Sequence, residues 1–481
     1  MRSVVAIAAC ATALLAACTL GPDYRRPAID TPGAYRFEPA SVADTADTKW
    51  WEQYGDPVLD ALIAEALANN RNLEVAVANV AQAASIVTQT RASALPQIGY
   101  SGSAQQVKIP DTGLVAIIPR FPNPQTTYEA LLSVSWELDL FGRVRRLSEA
   151  ALANMLASED ARNAVILSLV ASVATDYIQL RGLDDQLAIA AKTLGAYGES
   201  VRLFELQFKY GNVSKMNVAQ AQSQYESAAA QIPVIESQIA QTEHALSLLL
   251  GRHPGPIARG RSVDELVLPP VPAGVPSSLL ERRPDLMQSE QQLVAANAQI
   301  GAAKALYFPT ISLTGAFGAS SSQLSSLFEG PSRVWSYAGQ LTGPIFTSGL
   351  VGAQVAQAEA AQRAALANYR QAVENAFGDV DNALVARQKL SEQLVAQQRL
   401  VEALQTYDRL ANLQYKGGYA PYSTVLQAEQ SLFPAELSLA NIRASLLSSS
   451  VNLYKAMGGG WVTIASGMTS EASVDQRPAA K

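Results

Sequence analysis

The chain has 481 residues, 48% hydrophobic, 16% charged and 7% aromatic, with 36 Lys and Arg against 42 Asp and Glu for a net charge of −6. That apolar content is too high for a disordered chain, and an acidic balance without any basic block removes nucleic acid as a partner. Two Cys and two His exclude a disulfide scaffold, a four-cysteine zinc site and most histidine-dependent catalysis.

The first 17 residues read as a cleaved signal peptide: Arg2 is a one-charge start, and an apolar run too short to span a bilayer follows. Leu15-Ala16-Ala17-Cys18 resembles the bacterial lipobox, which implies diacylglyceryl and N-acyl groups on Cys18 and no other cofactor. Ile7-Ala8-Ala9-Cys10 has a similar pattern, with too little chain ahead of it to serve. Thr19 stands where an Asp favours retention at the inner membrane, so the lipidated segment, residues 18–55, points to the outer membrane. Beyond residue 20 no apolar run approaches the roughly 18 residues of a spanning helix, so membrane passage falls to strands.

The rest of the chain is written twice. Asn72-Leu73 through Leu95-Pro96-Gln97-Ile98 aligns with Asp285-Leu286 through Phe308-Pro309-Thr310-Ile311 at an offset of 213, and Leu206 to Gly211 aligns with Leu413 to Gly418 at an offset of 207. This predicts repeats at 56–250 and 277–458, joined by a linker at 251–276 and followed by a tail at 459–481. The change of offset places a variable loop in the first repeat, at the Pro-rich stretch Ile109 to Pro124.

Each repeat predicts two short strands and then a helical hairpin. Pro96 to Ala104 alternates, and Tyr128 to Leu138 places Leu132, Val134, Trp136 and Leu138 on one face; Ile311, Leu313 and Gly315 alternate with Ser312 and Thr314, and Val334 to Pro344 follows. From about Val144 to Lys209 no proline intervenes, and apolar residues step by 3 and 4 from Leu180 through Leu183, Leu187, Ala190, Leu194, Tyr197, Val201 and Phe204 to Phe208. The second repeat shows the same seam, with Gln397 and Asp408 interrupting it. Turns at Tyr210 to Ser214 and Gly417 to Pro421 reverse the chain, and the returning helices carry Pro233 and Pro434, each expected to kink its helix. Four strands cannot close a barrel alone, whereas three copies supply twelve and two supply eight.

At this point five motifs carry a resemblance: Gly21-Pro22-Asp23-Tyr24-Arg25-Arg26-Pro27; Trp50-Trp51; Trp136-Glu137-Leu138-Asp139-Leu140-Phe141-Gly142-Arg143; Leu279-Leu280-Glu281-Arg282-Arg283-Pro284-Asp285; and Leu453 to Trp461. The chain resembles the outer membrane factor lipoproteins of the TolC superfamily, NodT branch, over essentially its whole mature length. The resemblance implies an α+β membrane protein that forms a homotrimer with a 12-stranded β-barrel, a periplasmic α-barrel of twelve helices and an equatorial belt. It also implies an exit duct for an inner-membrane pump, reached through a periplasmic adaptor.

A duct of this kind needs a polar lumen, a gate and docking surfaces. By position in the family, the gate candidates are Tyr407, Asp408, Arg409, Tyr415 and Tyr422, and the adaptor-docking tips are Lys209, Gly211, Lys416 and Gly418. Asp408 fills the seam slot that Val201 fills in the first repeat, where an acid is costly unless it is paired, with Arg409 for instance, or faces water. Ala420 stands where relatives often carry an acid. Trp136, Tyr128, Trp335 and Tyr337 are candidates for an interfacial aromatic girdle. The competing reading is a lipid-anchored periplasmic coiled-coil scaffold without a pore. An enzyme is not expected: no nucleophile or metal-protease motif accompanies His244 or His253.

Overall fold

A computed structural model describes residues 19–37, 47–108, 110, 123–272 and 278–469. Cys10 and Cys18 lie outside the described residues, as does most of the Pro-rich loop. The chain forms helices α1 (Pro57–Asn69) and α2 (Arg71–Ala92), strands β1 (Gln97–Val107) and β2 (Gln125–Leu138), then α3 (Arg143–Lys209) and α4 (Lys215–Leu249). The second repeat gives α5 (Leu279–Arg282), α6 (Pro284–Ala305), β3 (Thr310–Ser321), β4 (Arg333–Thr342), α7 (Leu350–Lys416), α8 (Tyr422–Met457) and the short α9 (Trp461–Ser466). α3 and α7 each have 67 residues, about 100 Å of helix at 1.5 Å per residue. α4 and α8 continue through Pro233 and Pro434 without a break in assignment.

Two compact units emerge, and each draws on both repeats. The first holds residues 1–28, 79–158 and 289–369 and contains one antiparallel sheet in the order β1-β2-β3-β4. The strands run further than the alternation suggests, β1 through Gln105 and Gln106 to Val107 and β3 through small residues to Ser321, because these ends still pair with the full length of β2. The corner between β2 and α3 accounts for the Trp136 to Arg143 motif. Asp139 accepts hydrogen bonds from the amides of Val144 (3.0 Å) and Arg145 (2.9 Å), capping the helix, while Arg143 grips Glu137 through two bonds of 2.9 Å. Trp136 Nε1 donates to the Ala94 carbonyl at 2.9 Å and ties the strand to the end of α2.

In the same unit the segment after Cys18 is laid along α6 and α3. Gly21 crosses Gly301 so closely that a Cβ on either would strike the backbone of the other strip of chain. Asn297 Nδ2 donates to the Pro22 carbonyl (2.8 Å), buried Arg146 reaches the Leu20 carbonyl (3.0 Å) and Asp23 (2.7 Å), and Glu290 accepts from Tyr24 (3.0 Å) and Arg26 (2.6 Å). The Gly-Pro-Asp-Tyr-Arg-Arg-Pro motif is therefore a strap.

The second unit, residues 29–78, 159–288 and 370–481, holds the largest core. Its centre is aromatic: Trp50 stacks on Tyr454 (5.4 Å), and Trp461 meets Trp50 and Trp51 edge-on. Ile166, Val170, Val173, Tyr177 and Ile178 of α3 pack against this cluster. Contrary to the sequence expectation, α3 contains a window long and apolar enough to cross a membrane, but 56% of it is buried within the chain. Core packing explains that stretch. Fully buried Asp56 caps α1 through Val58 N (2.9 Å) and also accepts from the Tyr177 hydroxyl (2.7 Å) and Arg261 N (3.0 Å). Arg283, buried in the Arg-Arg-Pro-Asp motif, donates to the Ala456 carbonyl (2.9 Å) and pairs with Asp285 and Asp379.

Asp56→Ala removes a helix cap and orphans two buried donors. We expect a loss of about 2–4 kcal/mol, read as a lowered thermal midpoint by circular dichroism of the detergent-solubilised protein.

Candidate functional site

Two places in the fold carry the chemistry of a duct, and the first is the sheet. Residues directly opposite across a ladder share a face. One face therefore holds Ile98, Tyr100, Leu132, Val134, Trp136, Leu313, Phe317, Trp335, Tyr337 and Leu341, and the other holds Gln97, Ser101, Ser103, Ser133, Glu137, Ser312, Thr314, Ser336 and Gln340. The apolar side chains are largely exposed, Tyr100 at 90% and Tyr337 at 81%. Eleven strand residues from Tyr128 to Leu138, tilted as in a barrel, give an apolar band of about 25 Å, the height that outer-membrane barrels present to lipid. Among the described residues, the outer edges of β1 and β4 have no strand partner.

The second place is the pair of hairpin tips, in the second unit. Both long helices end in the same motif: Gly211 and Gly418 adopt φ of +77° and +78°. Their amides bond the carbonyls of Phe208 and Tyr415, and the next amides, of Asn212 and Tyr419, bond those of Gln207 and Gln414. This is a Schellman cap, which only a residue free to take positive φ completes without strain. Lys209 and Lys416 are the last helical residues, exposed, and complement the negative helix ends.

Between the tips lies a small core of Phe204, Ala221, Ala411, Tyr422, Val425 and Ala428. Tyr422, 6% exposed, sets its ring 4.1 Å from that of Phe204, and Tyr415 and Tyr407 pack on the same cluster. The three tyrosines singled out as gate candidates thus share one hydrophobic contact with the first hairpin. Phe208, expected in the seam, is 46% exposed, so the seam ends at Phe204.

The second hairpin's seam carries polar contacts among its apolar ones. Asn412 Nδ2 donates to Asp408 (3.1 Å), Gln405 donates to Glu436 (3.1 Å) and Gln397 to the Ala435 carbonyl (2.9 Å). Among the described residues no ion pair joins Asp408 to exposed Arg409. Facing Asp408 across the hairpin is Glu429, whose Oε2 is buried with no hydrogen-bond partner. Burial first, and the Asp408 charge second, raise the Glu429 carboxyl to about 7; burial and then Glu436 raise Asp408. From α3, the Tyr197 hydroxyl donates to the Glu429 carbonyl at 3.2 Å. Further along the first hairpin Leu183, Ala190 and Ile235 pack with Leu187, Ile232, Ile239 and Phe433, and Ala190 there is the twin of Gln397. Sequence reasoning passed over Glu429, although its twin under the 207 shift is the neutral Gln222.

With the fold and these sites in view, comparison with known proteins is decisive. The sequence model of the outer membrane efflux protein family matches residues 62–252 and 275–459. The chain belongs to this family. It is 37% identical to the probable efflux pump outer membrane protein TtgC of Pseudomonas putida, covering 96% of both chains. It is also 37% identical to the cation efflux system protein CusC of Escherichia coli (94% and 98% covered), and 36% to SilC of Salmonella typhimurium, a probable outer membrane lipoprotein (93% and 97%). The open-state crystal structure of the Neisseria gonorrhoeae MtrE outer membrane channel superposes with a TM-score of 0.83 at 33% identity, over 92% of this chain and 99% of that one. The protein is an outer-membrane exit duct of an efflux system, and its relatives are transport proteins.

A carboxyl raised above its unfolded value of 4.5 stabilises the packed tip fully below that pH, and the contribution is lost as pH rises through about 7. Normalised hydrogen-exchange protection around residues 405–432 is therefore expected to fall between pH 5 and pH 8, by about 1–3 kcal/mol. Glu429→Gln flattens that profile; a variant with the wild-type pH dependence removes Glu429 as its source.

Proposed function

We propose that three copies of this chain join edge to edge, β4 of one against β1 of the next, into a closed twelve-stranded barrel whose polar face lines an aqueous pore. The observation that carries this reading is the register of the sheet, which gathers every aromatic side chain of the strands and most of the large aliphatic ones on one face and leaves its two outer edges, among the described residues, unpaired. Open edges are not viable in hydrocarbon. Twelve strands leave a lumen, whereas eight are largely filled by their own side chains. A coiled-coil scaffold without a pore gives this two-faced sheet no purpose.

Cys18 is the lipidation site of this reading. Thr19, which follows it, packs against Gly142 at the root of β2 and α3, so the acyl chains enter the leaflet beside the ends of the strands. That SilC is a probable outer membrane lipoprotein supports this. Native mass spectrometry of the extracted protein is expected to show a trimer with lipid on each chain, and Cys18→Ser to lose the lipid mass while conducting as before. A monomer surviving gentle extraction overturns the barrel.

The helical tips, with Lys209, Gly211, Lys416 and Gly418 exposed on them, are where a periplasmic adaptor docks and couples the duct to an inner-membrane pump. The gate is the second hairpin. Its seam is held by a few polar contacts and strained by Asp408 facing Glu429, so it separates at lower cost than the hydrocarbon seam of the first. The Phe204, Tyr415 and Tyr422 contact holds the tip closed against that repulsion. Asp408→Ala relieves the repulsion, and in planar bilayers at pH 7 its open probability is expected to fall severalfold. A rise would indicate a closing ion pair through Asp408 in the assembly, and no change removes Asp408 from the gate.

A further inference from the structure

At the loop end of the apolar face the composition changes. Arg333, first residue of β4, is exposed and shares the face of Trp335 and Tyr337, which follow it at alternate positions. The two rings are 70% and 81% exposed and stacked, with centroids 5.8 Å apart and planes 4° from parallel. On the opposite edge of the sheet, Lys108 directly follows β1, also exposed, and the alternation of Ala104 and Gln106 assigns it to the same face. Among the described residues neither cation has an ion-pair partner. The strand acid nearest this end, Glu129, lies on the polar face and accepts from Ser320 at 3.3 Å.

These features sit on the two edges that the barrel reading brings together, and the inference rests on that reading. Closing β4 of one copy on β1 of the next brings Arg333 and Lys108, both at the loop ends of their strands, to either side of one seam. Beneath them the side chains are unequal: β4 offers the Trp335 and Tyr337 stack, whereas β1 offers Gln106 and then the small Ala104 and Gly102. The result is a shallow trough, walled by aromatic rings on one side, floored by small residues on the other, and topped by two positive charges.

We propose that each subunit seam binds one molecule of lipid A, the phosphorylated glycolipid of the outer leaflet. Its phosphate lies between Arg333 of one copy and Lys108 of the next, and an acyl chain lies along the trough. The charges match a headgroup carrying phosphate on a sugar, since Arg pairs phosphate through two parallel donors and Lys adds a point charge. Large flat rings beside small residues match a saturated chain, which gains contact along its length. Because the edges are the one part of the barrel formed between chains, the lipid acts as a third component of each seam and fastens it.

The test uses the intact trimer, delipidated in detergent and titrated with lipid A or with phosphatidylglycerol under native mass spectrometry. Wild type is expected to take up to three lipid A molecules in preference to phosphatidylglycerol. Combined Arg333→Gln and Lys108→Gln is expected to weaken lipid A binding roughly tenfold or more, with the trimer mass unchanged. Trp335→Ala weakens binding and leaves the preference for lipid A. Equal affinity in wild type and the double variant, or phosphatidylglycerol binding as well as lipid A, overturns the site while the barrel stands. Absence of a trimer overturns both.

Discussion

Backbone amides and carbonyls at a strand edge have to be paired, and in hydrocarbon water is not there to pair them. A four-stranded sheet that gathers most of its large apolar side chains on one face, with two outer edges that have no strand partner among the described residues, is unstable in lipid as a single chain. The rest of the molecule is organised around that requirement. The β2 corner with its Asp139 cap and Glu137 to Arg143 clasp turns the chain out of the sheet into α3 within a few residues. In the proposed barrel the polar serines and threonines of the other face gain a water-filled space only once the sheet curls into a closed wall. On that reading the stability of the single chain and of the assembly are linked, as for any protein whose native contacts are partly supplied by its copies.

Duplication supplied the parts and divergence gave them different duties. Gly211 and Gly418 build the same cap with the same dihedral and the same two hydrogen bonds. The seams behind those caps differ: Val201 became Asp408, and Gln222 became Glu429. One hairpin holds by hydrocarbon, at a cost of opening that scales with the area exposed. The other adds to its apolar contacts a few hydrogen bonds around carboxyls that repel each other. On the gate reading proposed above, a single template yields one rigid and one movable hairpin by a change at a handful of seam positions.

Much of this was legible in the sequence because it is periodic. The strands, the 67-residue helices, the two turns and the five motifs announce themselves by spacing and by the glycines that turns require. The ends of β1 and β3 were not, since Gln105-Gln106 in β1 and the Gly, Ala and Ser of β3 give no alternating contrast and the pairing partner decides their length. The apolar window of α3 was missed because its hydrophobic residues are interrupted; burial against Trp50 and Trp461 then explains it. Asp408 stood out as an acid in an apolar seam, but its neighbours did not. That Glu429 faces it, and that Arg409 does not pair with it, depends on helix rotation about a turn, which sequence spacing leaves open. The tyrosines near the tip were visible as residues, not as a contact between hairpins.

The strap has a consequence for the order of events. Residues 20–26 are held by Asn297, Gly301 and Glu290, which are made nearly 300 residues later in synthesis. The N-terminus has no seat until the second repeat exists, and loop closure over that span is among the slowest contacts the chain makes. On the proposed reading of Cys18 as the lipidated residue, modification falls while the seat of the strap is unformed and the N-terminus is accessible to an enzyme. Seating the strap afterwards would bring the acyl chains to the roots of the strands, so that a finished fold and a correctly delivered anchor arrive together.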